Sequence, residues 1–190
     1  MKIDFEELDS KEIYKIMSHN IIPRPIAWIV THDEEEDILN VAPFSYFAPL
    51  SSNPPCVVVS IGHKADGIPK DTLVNIRKYH KCTICLVEEE QLEKMHYSSK
   101  SLPRDISECE EYDIKTEKKF DSYPAMVKDT ARAFFCEFMQ EIDLDGSSTR
   151  PMILKIKHAY IDKKDDQDPI CRIGKSYAKI GKKLEAPEIK

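Results

Sequence analysis

The sequence predicts a mainly β protein, a barrel of short strands with a few helices added to it. Three observations carry that expectation. Short apolar runs rich in β-branched residues recur along the chain, the clearest being Cys56–Ile61 (CVVVSI), which is apolar until Ser60. Turn signals separate such runs at close intervals. Between strands, one long amphipathic helix is evident, at Asp71–Lys81, whereas a doubly wound sheet needs several.

Each element follows from local chemistry. Leu8–Asn20 places Ile13, Ile16 and Met17 at helical spacing and predicts a short amphipathic helix, stopped by Pro23 and Pro25. Ile26–Thr31 is a short strand, and the acidic His32–Asp37 reads as a solvated turn. Leu39–Phe47 (LNVAPFSYF) resumes extended structure, and the prolines of Ser51–Pro55 mark a loop. After Cys56–Ile61, a loop with Gly62 and Gly67 leads into the Asp71–Lys81 helix. There Asp71 or Thr72 is the expected N-cap, Leu73 and Ile76 form the apolar stripe, and Arg77 and Lys78 suit the C-terminal end. Cys82–Glu89 is a further strand. Polar residues from 91 to about 115, with helical patches and Pro103, form an excursion. Ala133–Ile142 and Met152–Ile161 read as strands joined by a turn. The tail is basic at its end and is expected to be flexible over residues 181–190. With 190 residues and no internal repeat, a single domain spanning 1–190 is expected.

Composition narrows the function. Hydrophobic residues at 41% and charged residues at 33% indicate a chain able to bury a core without disulfides. The net charge of −6 argues against nucleic acid as a partner, because there is no basic excess to neutralise phosphates. The sequence has no apolar run of membrane-spanning length, and the acidic, polar N-terminus is unlike a signal peptide, so a cytoplasmic location is expected. Of the six cysteines, Cys82 and Cys85 form a C-x-x-C within a strand, where residues three apart point to opposite faces. Separate reduced thiols follow. The histidines show no metal-ligand spacing, and G-x-G-x-x-G and P-loop fingerprints are missing.

Two stretches are candidates for chemistry. A helix starting at Asp71 offers unpaired N–H groups and partial positive charge, with Lys70 and Thr72 beside them and Ser60 ending the preceding strand. Phosphate binding is one reading; a solvated lysine next to an ordinary cap is the other. The second stretch mixes apolar residues with Asn40, Ser45 and Tyr46, and Pro43 withholds an N–H from regular pairing. That suits a flat apolar ligand with a polar edge, or an edge strand with a surface tyrosine.

Taken together in order, IIPRPIAWIVT, NVAPFSYFAPLSSNPPCVVVS and KDTLVNI resemble the flavin reductase-like family with its FMN-binding split barrel of Greek-key type, most similar to the flavoredoxin-type and archaeal-type FMN-binding branch. The likeness is strong over residues 21–87 and returns at PICRIGKSY, Pro169–Tyr177. The resemblance implies FMN along the NVAPFSY strand. Asn40, Ala42, Pro43, Ser45 and Tyr46 would border the ring and ribityl chain, and Ser60, Lys70, Asp71 and Thr72 the phosphate. Arg24 would lie close to the pocket or brace it. It also implies a homodimer with the cofactor near the subunit interface. Departures from the pattern are the DEEED turn, where a glycine is usual, Lys175 in place of a second glycine, and CLVEE without a following asparagine. Three classes stay open: an NAD(P)H-dependent flavin oxidoreductase, alone or serving a partner oxygenase; an FMN electron carrier docking to another redox protein; and a barrel that has lost its cofactor. Retained phosphate elements disfavour the third.

Overall fold

Asp9 opens the first helix: its carboxylate accepts from the Lys11 and Glu12 N–H groups while Glu12 reaches back to the Asp9 N–H, a capping box. The computed structural model of the chain describes residues 2–163 and 168–186. In chain order its elements are α1 (Ser10–Asn20), β1 (Arg24–Pro25), β2 (Ala27–Asp33), β3 (Ile38–Phe44), β4 (Phe47–Ser52), β5 (Pro55–Ile61), α2 (Asp71–Tyr79) and β6 (Lys81–Cys85). Then follow α3 (Leu92–Tyr97), α4 (Glu108–Glu111), β7 (Thr116–Glu117), β8 (Met126–Val127), β9 (Arg132–Glu141), β10 (Arg150–Ile161), β11 (Cys171–Ile173) and β12 (Ser176–Ala178).

Seven strands form one antiparallel sheet in the order β3-β2-β6-β9-β10-β5-β4. Its two edge strands, β3 and β4, are consecutive in the chain and joined only by Ser45 and Tyr46. The sheet therefore curls back to bring its two edges close, and the Ser60 N–H donates to the Tyr46 carbonyl at 2.8 Å, carrying the β4–β5 ladder one step past Phe47 into the connection. The seam between the two edges carries no strand pairing. This is the split barrel.

Strand alternation sorts the core into two clusters. Ala27, Ile29, Val57, Val59, Ile84, Met152 and Leu154 point into the barrel, where Leu73 and Ile76 of α2 join them. Trp28, Val30, Cys85 and Phe135 point outward and are covered by the excursion through Met95, Ile114, Tyr123 and Met126. Burying each such large side chain is worth about 1.5–3 kcal/mol. Cys82 lies in the inner cluster and Cys85 in the outer one, so the C-x-x-C thiols diverge; all six cysteines are free.

The structure corrects several boundaries. Leu8 precedes α1 rather than starting it. His32 and Asp33 extend β2 instead of turning, because Asp33 is buried against Tyr79 and Arg104. The LNVAPFSYF run is broken at Ser45–Tyr46 into parts of two opposite edge strands, and Ser51 and Ser52 end β4 rather than forming a loop. Pro49 is tolerated in β4 because an edge strand need not donate on its open side. The α2 helix ends at Tyr79, with His80 left-handed (φ 59°), and its N-cap position is Lys70, not Asp71 or Thr72. β6 stops at Cys85, short of Glu89. The hairpin β11–β12 is new; three-residue strands leave too little pattern to read. In the tail expected to be flexible, residues 181–186 are exposed and carry neither helix nor strand, and 187–190 lie outside the described residues. Among the described residues, no helix is long and apolar enough to cross a membrane.

Candidate functional site

The edge strand β3 borders an open cleft because its outward positions are blocked from further pairing. The Val41 N–H is taken by the Glu108 carboxylate at 3.0 Å, and Pro43, two positions on, has no N–H to offer. Beneath this edge lies a buried polar network. Asn40 donates to both Glu108 oxygens (3.0 and 2.9 Å) and accepts from Thr31 (3.3 Å) and Thr72 (2.8 Å). Asn75 continues it, donating to Thr31 and accepting from Arg104. Desolvation pushes the Glu108 carboxyl above its usual range. With both ends of its amide engaged, Asn40 positions β3 against α2 and α4.

At the start of α2 the situation is the reverse. No side chain caps the helix, so its first N–H groups are available. Asp71 is neutralised by Lys64 at 2.8 Å and Arg104 at 3.3 Å. Lys70, half-buried beside the Phe44 ring at 5.5 Å, has no ion-pair partner among the described residues. Burial and then the Lys64 charge hold its ammonium below the usual lysine value. An uncapped helix start and an unanswered cation face one cleft, lined also by Ala42, Pro43 and Ser99.

Pro43 and Ser99 continue into a larger cleft of about 200 Å³. Its walls include Tyr14, Phe44, Ser45, His96, Arg172 and Tyr177. The Tyr177 hydroxyl lies 2.8 Å from His96 Nδ1, and Arg172 sits 4.5 Å from the centre of the Tyr177 ring. Desolvation raises the Tyr177 phenol above its usual value, against the pull of Arg172. Arg24 instead is buried (6% exposed) and turns away from this cleft, donating to the carbonyls of Ser18 and, at 3.4 Å, Ile21, and to Ser45 Oγ at 3.4 Å. It braces the end of α1.

Of the residues expected at the site, Asn40, Ala42, Pro43, Lys70, Asp71 and Thr72 share the smaller cleft, and Ser45 joins the larger. Tyr46 and Ser60 do not. They line a separate apolar groove with Arg24, because on β5 the residues Val57, Val59 and Ile61 alternate inward and Ser60 faces out. Sequence reasoning missed His96 and Ser99, which carry no motif, and left Arg172 and Tyr177 unassigned although PICRIGKSY contains both. Among the described residues, no cluster of histidine, cysteine or carboxylate side chains could hold a metal.

Comparison with known proteins agrees with this architecture. An uncharacterized protein of Halalkalibacterium halodurans is 30% identical over 207 aligned positions, covering 100% of this chain and 98% of that one. The structure of nitrilotriacetate monooxygenase component B from Bacillus cereus superposes with a TM-score of 0.90 at 26% identity, covering 98% of both chains. A split-barrel-domain structure from Shewanella frigidimarina gives 0.85 at 21% identity over the full length of both. Residues 17–181 match the flavin reductase like domain, and the chain belongs to the flavin reductase-like family.

Proposed function

We propose that the chain binds FMN non-covalently along β3 and acts as an NAD(P)H-dependent flavin oxidoreductase in the cytoplasm. The observation that carries this reading is Lys70: a half-buried cation with no ion-pair partner among the described residues, at an uncapped helix start, opening onto a cleft. That donor set fits a terminal phosphate. The adjoining larger cleft, with Pro43, Phe44 and Tyr14, fits a flat aromatic ring. Bound there, FMN would supply the two-electron redox chemistry. The chain's own part is to hold the phosphate through Lys70 and the α2 N–H groups, to fix β3 through Asn40 and Glu108, and to shield the ring with residues 95–102. A relative named as one component of a monooxygenase supports supply of reduced flavin to a partner enzyme. We further propose a homodimer through the outer side of β4, an edge strand where Leu50 is 52% exposed.

Titration with FMN, riboflavin and FAD, followed by fluorescence, tests the cofactor. FMN should bind tightest. A protein that changes no flavin's fluorescence contradicts the reading. NADH and NADPH oxidation with and without added FMN then tests the reaction; a protein that holds FMN but oxidises neither is an electron carrier.

A further inference from the structure

Two arginines oppose each other where β1 meets β11. Arg24 and Arg172 are direct cross-strand partners, a placement that puts like charges on one face and costs stability unless each is answered. Arg24 is answered by the Ser18 and Ile21 carbonyls at the C-terminal end of α1, where partial negative charge gathers. Arg172 is not. Its Nε donates to the Gly174 carbonyl at 3.1 Å within its own turn, its guanidinium carbon lies over the Tyr177 ring 4.5 Å from the centre, and among the described residues no carboxylate comes within ion-pair distance.

The hairpin presents this cation firmly. The Gly174 N–H donates to the Ser18 carbonyl at 3.2 Å, and Gly174 has φ 50° with the His19 ring where a Cβ would stand, 2.7 Å away. Tyr177 is tied to His96 across the cleft. The continuous cleft along β3 therefore has an unanswered cation in each of its two parts, Lys70 in one and Arg172 in the other. The single phosphate of FMN can satisfy one of them.

We propose that Arg172 recognises an organic anion that enters the larger cleft beside the flavin, either the carboxylate of a substrate or the diphosphate of a dinucleotide donor. This rests on the FMN reading above. A planar guanidinium held over an aromatic ring suits both anions, since it can donate two parallel N–H groups to either.

The test uses the full chain, native and as Arg172→Gln and Arg172→Lys. FMN and riboflavin affinities are measured first by fluorescence. NAD⁺ and benzoate are then titrated calorimetrically into the FMN-loaded protein, or into the protein as purified if FMN does not load. That last case refutes the FMN reading while still probing Arg172. In Arg172→Gln, FMN and riboflavin should bind within about twofold of native, and NAD⁺ or benzoate should bind about tenfold or more weakly, partly restored in Arg172→Lys. Loss confined to NAD⁺ identifies the diphosphate as occupant; loss confined to benzoate identifies a carboxylate. The proposal is overturned if the native protein binds neither probe, if Arg172→Gln binds both as well as native, or if FMN weakens tenfold while riboflavin does not. Weakening of FMN and riboflavin together with a lowered melting temperature overturns it too, because Arg172 is then only structural.

Discussion

Arg24 and Lys70 are both cations next to β3, and both are residues that a sequence reading assigns to the site. Their surroundings differ completely. Arg24 is buried and its donors end on backbone carbonyls and Ser45. Lys70 is half-buried, sits over an aromatic ring, and has no ion-pair partner among the described residues. What neutralises a cation thus distinguishes a brace from a candidate binding group: the first contributes to the fold, and the second is held at a cost that a ligand can repay.

The largest expected effect that sharpens this contrast is on stability. Arg24→Met should lower unfolding free energy by about 2–3 kcal/mol, because three carbonyl and hydroxyl partners lose charged donors. In thermal melts that is a fall of several degrees, at roughly 2–4 °C per kcal/mol for a chain of this size. The FMN-to-riboflavin affinity ratio should not move. An unchanged melting temperature would mean Arg24 is not a brace.

Thr72→Val comes next. Its hydroxyl donates to Asn40 in the buried network, so about 1 kcal/mol of stability should be lost. FMN affinity should stay within about threefold of native. A loss of FMN binding much beyond that, with riboflavin unaffected, would put the hydroxyl on the phosphate instead.

The smallest effect is pH dependence. Burial holds the folded-state pKa of Lys70 below the ordinary lysine value of 10.5, so its charged form opposes folding. That cost is fully present below the depressed pKa. It is relieved as pH rises from there towards 10.5, where the unfolded chain binds more protons. Native protein should therefore gain stability relative to Lys70→Met across that window in the absence of flavin. A difference that stays flat with pH would contradict the desolvated charge.

The barrel was legible where patterns were long. Cys56–Ile61 announces itself by its β-branched content, and the two strands near 133–161 by their length, with phenylalanines in the first and isoleucines in the second. The β4 strand was hidden because Pro49 and Ser51 break its pattern, and an edge strand can carry both. In the site, Lys70 and the start of α2 could be read locally, since helix chemistry is local. Glu108, His96 and Arg172 could not be placed, because contacts across 68 and 81 positions of sequence depend on how the excursion and the hairpin fold back. Ser60 lines a different groove from Lys70 for a subtler reason: ending an apolar strand does not say which face the hydroxyl takes.

One measurement tests the central claim most directly: the ratio of FMN to riboflavin affinity in native protein and in Lys70→Met, by fluorescence titration at low salt. With the phosphate on Lys70, native protein should prefer FMN strongly. The variant should lose about 1.5–3 kcal/mol of FMN binding, keep its riboflavin affinity, and melt no lower than native. Equal weakening of both flavins, or a preference for FMN that survives the substitution, would contradict the assignment of the phosphate to the start of α2.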